Sequence, residues 1–347
     1  MILGVNLNHD YAYCVIDKNK IYLREAERIS RIRHHWNESS YTLSILDDFT
    51  LGELKKIKAI YLNSPRMKDI EDKKGDLSSN KRNYTYIGDF IQQENKKGIA
   101  YGKILVAGIK INAAWVSHYH SHAASSFWAS PYEKSDILCL DGGGDFGFGA
   151  WMSGNKYNIS LKKRLLNIQF GLSYHFFSHK VFNTNDGFFE SKVMAIASYG
   201  NRELSNNKYL KYDSSLDKES LKNTKISVHD IAKFQFQFEE GILDLIKKNE
   251  NKENYLCCSG GCFLNVGLNQ KIAESGMYKG VFIPPYTSDM GTSLGCALYA
   301  CLDLEGKLPN KNSINTAFLG DSIDVSIADL HKIIIEAGDE PYNKVNI

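Results

Sequence analysis

No apolar run in this chain reaches the roughly 18 residues that a bilayer-spanning helix requires, so the sequence offers no candidate for one. Met1 is not followed by a charged segment leading into an apolar one, so no secretory signal is legible there. The seven cysteines are odd in number, and Cys258 and Cys262 have no second pair at zinc spacing. Neither a disulfide framework nor a zinc cage follows from them. These absences predict a cytosolic protein with free, buried thiols. An excess of one charge is missing too: 42 Lys plus Arg against 40 Asp plus Glu leave a net +2, which provides no electrostatic footprint for nucleic acid or an anionic membrane. Lys and Arg gather only between Arg66 and Lys103, where a solvated loop is expected. With 347 residues, 43% of them apolar, the chain is long enough to bury the core of two packed lobes.

What is present is a histidine run, His118-Tyr119-His120-Ser121-His122, leading into Ala123-Ala124-Ser125. His118 and His122 stand four residues apart, so on a helix they share a face and can point at one metal ion. Shortly after, Asp141-Gly142-Gly143-Gly144-Asp145 reads as a glycine loop whose backbone N–H groups can donate to phosphate oxygens. Together they predict metal-assisted chemistry on a nucleotide. His120 is left as supporting or surface. His175 and His179 repeat the four-residue spacing, but no acidic partner is evident, so a surface or packing role is expected for both.

Ile2 to Ile16 reads as a strand, a polar turn and a returning strand, and Ile137 to Trp151 repeats the pattern, aligning Asn6 with Asp141 and Asp10 with Asp145. We expect an internal duplication, with a first lobe over residues 1–130, a second over 131–310 and a C-terminal extension over 311–347. His122 to Ala129 suits a short helix ending before Pro131. Ser227 caps a long helix in which Ile231, Phe234, Phe238, Ile242 and Leu245 form one apolar stripe. Tyr255 to Cys258 reads as a buried strand entering Ser259-Gly260-Gly261, and Val281 to Ile283 as another that ends before Asp289. Such strand-to-helix turns are where α/β sheets bind ligands. Asn63 to Ala100 is lysine-rich and aperiodic, and is expected to be partly loop.

Taken in order, Asn8-His9-Asp10, Glu27-Arg28-Ile29-Ser30-Arg31, the His118/His122 pair, Asp141-Gly142-Gly143-Gly144, Lys192-Val193-Met194-Ala195 with Tyr199-Gly200, Ser259-Gly260-Gly261 with Leu264-Asn265, and Asp289 with Gly291 resemble the O-carbamoyltransferase family of nodulation and antibiotic-tailoring enzymes. The resemblance runs over roughly residues 1 to 325. The same domain is similar to the catalytic subunit that makes threonylcarbamoyl-adenosine in tRNA, within the actin-like, Hsp70-like ATPases. It implies an α/β fold of duplicated actin-like, RNase H-like lobes with a nucleotide cleft between them, and transfer of a carbamoyl group from carbamoyl-adenylate to an acceptor hydroxyl. Carried over residue by residue, His118, His122 and Asp289 would bind a divalent metal, iron first, with zinc or manganese as alternatives. Gly142, Gly143, Gly144 and Lys192 would face the phosphate of ATP or the adenylate. Gly260, Gly261 and Asn265 would hold the adenosine, and His9, with Asp10 beside it, would act at the carbamoyl carbon. Asp10 reads equally well as a plain turn residue, Lys192 as a solvated cation, and Glu27 with Arg28 as a surface ion pair.

An acceptor hydroxyl is a poor nucleophile near neutral pH, so an imidazole with an unperturbed pKa of about 6.5 is the natural base, and His9 is expected to supply it. Members of the family continue into a second domain that makes the carbamoyl-adenylate from carbamoyl phosphate and ATP. No stretch here resembles it, so the expected partners are a hydroxylated acceptor and a separate adenylate-forming subunit or missing domain. Three alternatives stay open: a non-catalytic nucleotide-binding subunit of a carbamoyltransferase complex, an actin-like small-molecule kinase, and a tRNA-modifying enzyme. Kinases of that kind hold magnesium through carboxylates and water, so the imidazole pair counts against the second.

Overall fold

The computed structural model describes residues 1–7, 9–18, 20–35, 44–63, 84–88, 98–145, 147–184, 187–211, 215–217, 221, 225–249, 252–314, 316 and 319. Asn8, most of the lysine-rich stretch and nearly all of the expected C-terminal extension lie outside the described residues.

Strands β1 (Ile2–Asn6), β2 (Ala12–Asp17) and β3 (Lys20–Glu25) form an antiparallel meander. Two short helices, α1 (Glu27–Ser30) and α2 (Leu51–Leu54), lead to β4 (Ala59–Asn63), which lies parallel to β1. Strands β5 (Tyr84–Gly88), β6 (Ile99–Val106) and β7 (Ile109–Val116) complete a sheet ordered β3-β2-β1-β4-β7-β6-β5. Within the stretch expected to be partly loop, β5 is a strand, paired antiparallel to β6.

After helix α3 (His118–Phe127) the design repeats. Strands β8 (Lys134–Gly144), β9 (Gly147–Asn155) and β10 (Asn158–Arg164) form a second meander. Helices α4 (Phe170–Phe182), α5 (Glu190–Ala197) and α6 (Val228–Lys247) follow. Then come β11 (Tyr255–Ser259), α7 (Val266–Glu274), β12 (Gly280–Phe282), α8 (Met290–Glu305) and α9 (Lys311–Ile314). The second sheet is ordered β10-β9-β8-β11-β12, with β11 parallel to both β8 and β12. Each sheet therefore contains a meander followed by two parallel strands, β4 and β7 in the first and β11 and β12 in the second, and the first adds β6 and β5 antiparallel beyond β7. The duplication read from Ile2–Ile16 and Ile137–Trp151 reappears as topology.

The apolar pattern explains the layering. The expected stripe on α6 buries Ile231, Phe234, Phe238 and Ile242 against the outer face of the second sheet, and Ser227 and Asp230 close the capping box at its start. Between the sheets lie two helices that are small-residue-rich, α3 and α8. They exchange places relative to the chain: α3 packs on β8 and β11 of the second sheet, while α8 packs on β1, β2 and β4 of the first. Every residue of α3 is buried, as are Gly291 through Cys301 of α8. Two helices fit in that gap because their backbones nearly touch, and a Cβ added at Gly295 would run into the carbonyl of Ser121. That contact fixes the distance between α3 and the start of α8.

Gly295→Ala is expected to lower stability by about 1–3 kcal/mol, the usual cost of overpacking a filled core. Urea denaturation followed by circular dichroism measures it, and an unchanged midpoint would show that the crossing is looser than described.

Candidate functional site

Three elements deliver four side chains to one point. The first turn of α3 carries His118 and the second His122, on one face as their spacing requires. Asp289 immediately precedes α8. Asp141 comes from the end of β8, where the pairing with β9 shifts register between Leu140 and Gly144. Such a bulge re-aims a strand's side chains. The ligand atoms of His118, His122, Asp141 and Asp289 all lie within 4.8 Å of one another.

Their spacing is compatible with a metal site as well as with long hydrogen bonds. His122 Nε2 stands 3.2 Å from both Asp141 Oδ2 and Asp289 Oδ1. His118 Nε2 stands 3.3 Å from Asp141 Oδ2 and 3.7 Å from Asp289 Oδ1. Charge-assisted N–H···O bonds close to about 2.7–2.9 Å. Four donors at about 2.1 Å from a tetrahedral ion stand instead about 3.4 Å apart. The cluster therefore fits a shared cation, and two imidazoles with two carboxylates suit a first-row divalent metal better than calcium or magnesium, which favour oxygen alone. His122 Nδ1 meets Ser259 Oγ at 3.1 Å, which fixes the ring's orientation.

Asp289 also faces the other way, and its Oδ2 lies 3.2 Å from His9 Nε2. His9 Nδ1 lies 3.6 Å from Asp10 Oδ2, and Asp10 Oδ1 is bonded to His34 Nδ1 at 2.6 Å. Imidazoles and carboxylates thus alternate from the buried cluster to the cleft. Burial opposes charge on His9, but Asp289 and Asp10 together outweigh it and its pKa is pushed up to about 10. The expectation of an unperturbed imidazole there is corrected: without a cation beside Asp289, His9 holds its proton at neutral pH. His122 is likewise pushed up to about 9, burial being overcome by its bonds to Asp141 and Asp289. Burial works against the Asp141 carboxylate, yet the bonds from His118 and His122 hold its pKa well below the usual range. For Asp10, His34 and His9 do the same against burial.

The chain of groups opens into a cavity of about 820 Å³. Its wall includes the polar side chains His9, Asp10, His34, Asp141 and Asp289 and the apolar side chains Phe148, Leu172, Met194, Phe238 and Leu264. Gly142, Gly143 and Gly144 line it. Beside Gly142 and Gly143 the space is open, whereas a Cβ at Gly144 would strike the His118 ring 2.6 Å away. They belong to the end of β8, not to a free loop, and the Gly142 N–H donates to Asp141 Oδ1. Gly261 and Asn265 also line the cavity. Asn265 caps α7 through Leu268 N–H and pairs with Gln235, so its side chain is engaged in the wall.

Two of the expected nucleotide-facing residues lie off the cavity wall. Lys192 does not line the cavity, because its ammonium lies over the rings of Phe189 and Phe182, 5.0 and 5.7 Å from their centroids. Gly260 does not line it either: its φ of +103° and its close approach to Leu140 are demands of the β11 turn. His175 does have an acidic partner, since its Nδ1 bonds Glu190 Oε1 at 2.6 Å on the cavity wall. Asp145, aligned with Asp10 in the duplication, accepts from the His118 backbone N–H and so caps α3. Missed altogether were Asp141 as a member of the cluster and His34 as the neighbour of Asp10. The strand-end position opposite Asn6 was the available signal for the first. All seven cysteines are buried and free, as expected, and among the described residues no helix is long and apolar enough to cross a membrane.

Titration of the protein with manganese, iron(II) or zinc is expected to show about one ion per chain with proton release. Below about 9 His122 is protonated, so the ion must displace that proton, and apparent affinity should rise about tenfold per pH unit from neutral pH toward that value. Calorimetry in buffers of different ionisation enthalpy reads the protons directly. Affinity that ignores pH, or survives in His122→Ala, would remove the imidazole from the site.

Comparison with known proteins gives the chain its relatives. Over 227 residues, 57% of the chain, it is 26% identical to nodulation protein NolNO of Sinorhizobium fredii, covering 32% of that protein. Over 222 residues, 56% of the chain, it is 29% identical to nodulation protein NolO of Bradyrhizobium diazoefficiens, covering 40% of it. The aligned stretch thus spans well under half the length of either relative. Among solved structures, component A of the (R)-2-hydroxyglutaryl-CoA dehydratase of Acidaminococcus fermentans overlays with a TM-score of 0.48 at 10% identity, over 86% of this chain and 96% of that one. The profile of the carbamoyltransferase N-terminus matches residues 1–215 and 203–298. The chain belongs to the carbamoyltransferase N-terminal family.

Proposed function

We propose that this chain carries the transfer half of an O-carbamoyltransferase, moving the carbamoyl group of carbamoyl-adenylate to a hydroxyl of a sugar, nucleoside or other small acceptor. The single observation that supports it most is the Asp289 carboxylate, which faces the buried His118/His122 pair with one oxygen and His9 with the other at the floor of a cavity large enough for a nucleotide. His118, His122, Asp141 and Asp289 would hold the divalent metal, iron being the first candidate. When bound, it supplies positive charge to the two carboxylates and to the phosphate of the leaving AMP.

The residues divide the work by position. With Asp289 and Asp141 neutralised, the charge that keeps His9 protonated is reduced to that of Asp10, and the imidazole can accept a proton. The acceptor oxygen then attacks the carbamoyl carbon, its proton passes to His9, the bond from that carbon to the phosphate oxygen breaks, and AMP leaves. Gly142 and Gly143 leave room beside Asp141 for the phosphate, and apolar wall residues such as Phe148, Leu172 and Phe238 suit an adenine ring. The adenylate would come from a separate subunit or a further domain. A second possibility, a non-catalytic nucleotide-binding role beside such a partner, would use the same cavity.

The test supplies the protein with metal, carbamoyl phosphate, ATP and an adenylate-forming enzyme, and follows carbamoylation of a panel of sugars and nucleosides by mass spectrometry. Product is expected with the native chain, with a fall of about 10²- to 10⁴-fold in His9→Ala, the range that general acid–base groups contribute. Phosphorylated acceptor in place of carbamoylated acceptor would mark a kinase, and no product with any acceptor would favour the non-catalytic role.

A further inference from the structure

The segment after α1 contains nothing periodic, yet it is tied to the turn beneath the cleft at several points. Tyr11 N–H donates to the carbonyl of His35 at 3.2 Å, and His34 N–H donates to Glu27 Oε2 at 2.9 Å. His35 Nδ1 meets Ser30 Oγ at 2.8 Å. At the centre, His34 Nδ1 bonds Asp10 Oδ1 at 2.6 Å, the shortest contact in the row of alternating rings and carboxylates. Both partners hold left-handed backbone conformations, with φ of 53° at Asp10 and 52° at His34. Non-glycine residues keep that conformation only where surrounding contacts over-determine it.

The other face of the His34 ring is covered from the second half of the chain. Phe188 lies 4.5 Å from it and 6.0 Å from the His9 ring, centroid to centroid. His34 is therefore wedged between Asp10 and Phe188, and Asp10 in turn reaches His9 with its second oxygen. Asn6 completes the support by donating its amide to the carbonyls of His9 and Asp10.

We propose that His34 is a positioning residue for His9: by holding Asp10 Oδ1 it turns Asp10 Oδ2 toward the His9 ring, so that His9 Nε2 faces Asp289 and the cleft. This rests on His9 being the group that takes the acceptor proton. His34 is not among the four clustered side chains; it lines the cavity beside Asp10, and its effect on His9 passes chiefly through Asp10, with Phe188 packed against both rings. Glu27, expected as half of a surface ion pair with Arg28, serves here as the backbone anchor of His34, while Arg28 pairs with Glu25.

The test compares His34→Ala, which removes the donor, with His34→Asn, whose side-chain amide nitrogen can occupy the place of Nδ1. In the carbamoyl-transfer assay His34→Ala is expected to lose about 10²-fold in kcat, the order that a displacement of about 1 Å costs, with KM for the adenylate little changed. His34→Asn should recover most of it. Crystal structures of both variants should show His9 and Asp10 turned in the alanine protein and in place in the asparagine one. Unchanged kcat in His34→Ala, or equal loss in both variants, overturns the proposal. If His34→Ala does not fold, His34→Leu supplies bulk without a donor for the same contrast. If the native chain transfers no carbamoyl group, the function fails, and the crystal structures then decide alone: an unmoved His9 overturns the positioning role, and a turned ring sustains it.

Discussion

The arrangement depends on one carboxylate serving two sides. Asp289 is nearly fully buried, with 2% of its surface exposed, and a charge at that depth is tolerable only if both oxygens are engaged. One meets the imidazoles of α3 and the other meets His9. The buried cluster and the group nearest the cleft therefore share a charge, and a change of ionisation on one side is felt at once on the other. Removing Asp289 would leave Asp141 as the carboxylate beside His122 and Asp10 as the one nearest His9.

That sharing is made possible by the way the chain crosses itself. α3 and α8 each leave one half of the duplication to pack on the sheet of the other, and they meet where Gly295 passes Ser121. The crossing brings residues far apart in sequence, His122 and Asp289, to 3.2 Å. Small side chains along both helices are thus a condition of the site as well as of the core. The bulge at the end of β8 then adds the fourth side chain from a third direction.

Much of this was legible where it depends on local repetition. The four-residue spacing of His118 and His122 is a property of any helix, and the stripe on α6 and its Ser227 cap follow from the same period. The paired hairpins exposed the duplication, and with it the equivalence of Asn6 and Asp141. What the pattern could not convey is that the amide braces its own turn while the carboxylate swings to the imidazoles, because that depends on a register shift between β8 and β9. His34 lies in an aperiodic segment whose shape is set by tertiary contacts with Asp10, Glu27 and Phe188. The place of Lys192 was not legible for a related reason: proximity in sequence to a glycine-containing turn says nothing of which way its ammonium turns, and it lies over two phenylalanine rings.

The central claim is that His118, His122, Asp141 and Asp289 close around one ion while His9 stays outside it. Diffraction from metal-loaded crystals at the absorption edge of the ion tests this most directly. The account predicts a single anomalous peak about 2.1 Å from both imidazole Nε2 atoms and from one oxygen of each carboxylate, with His9 facing Asp289 and not the ion. A peak elsewhere, or the four side chains drawn together into hydrogen bonds with no peak among them, would contradict it.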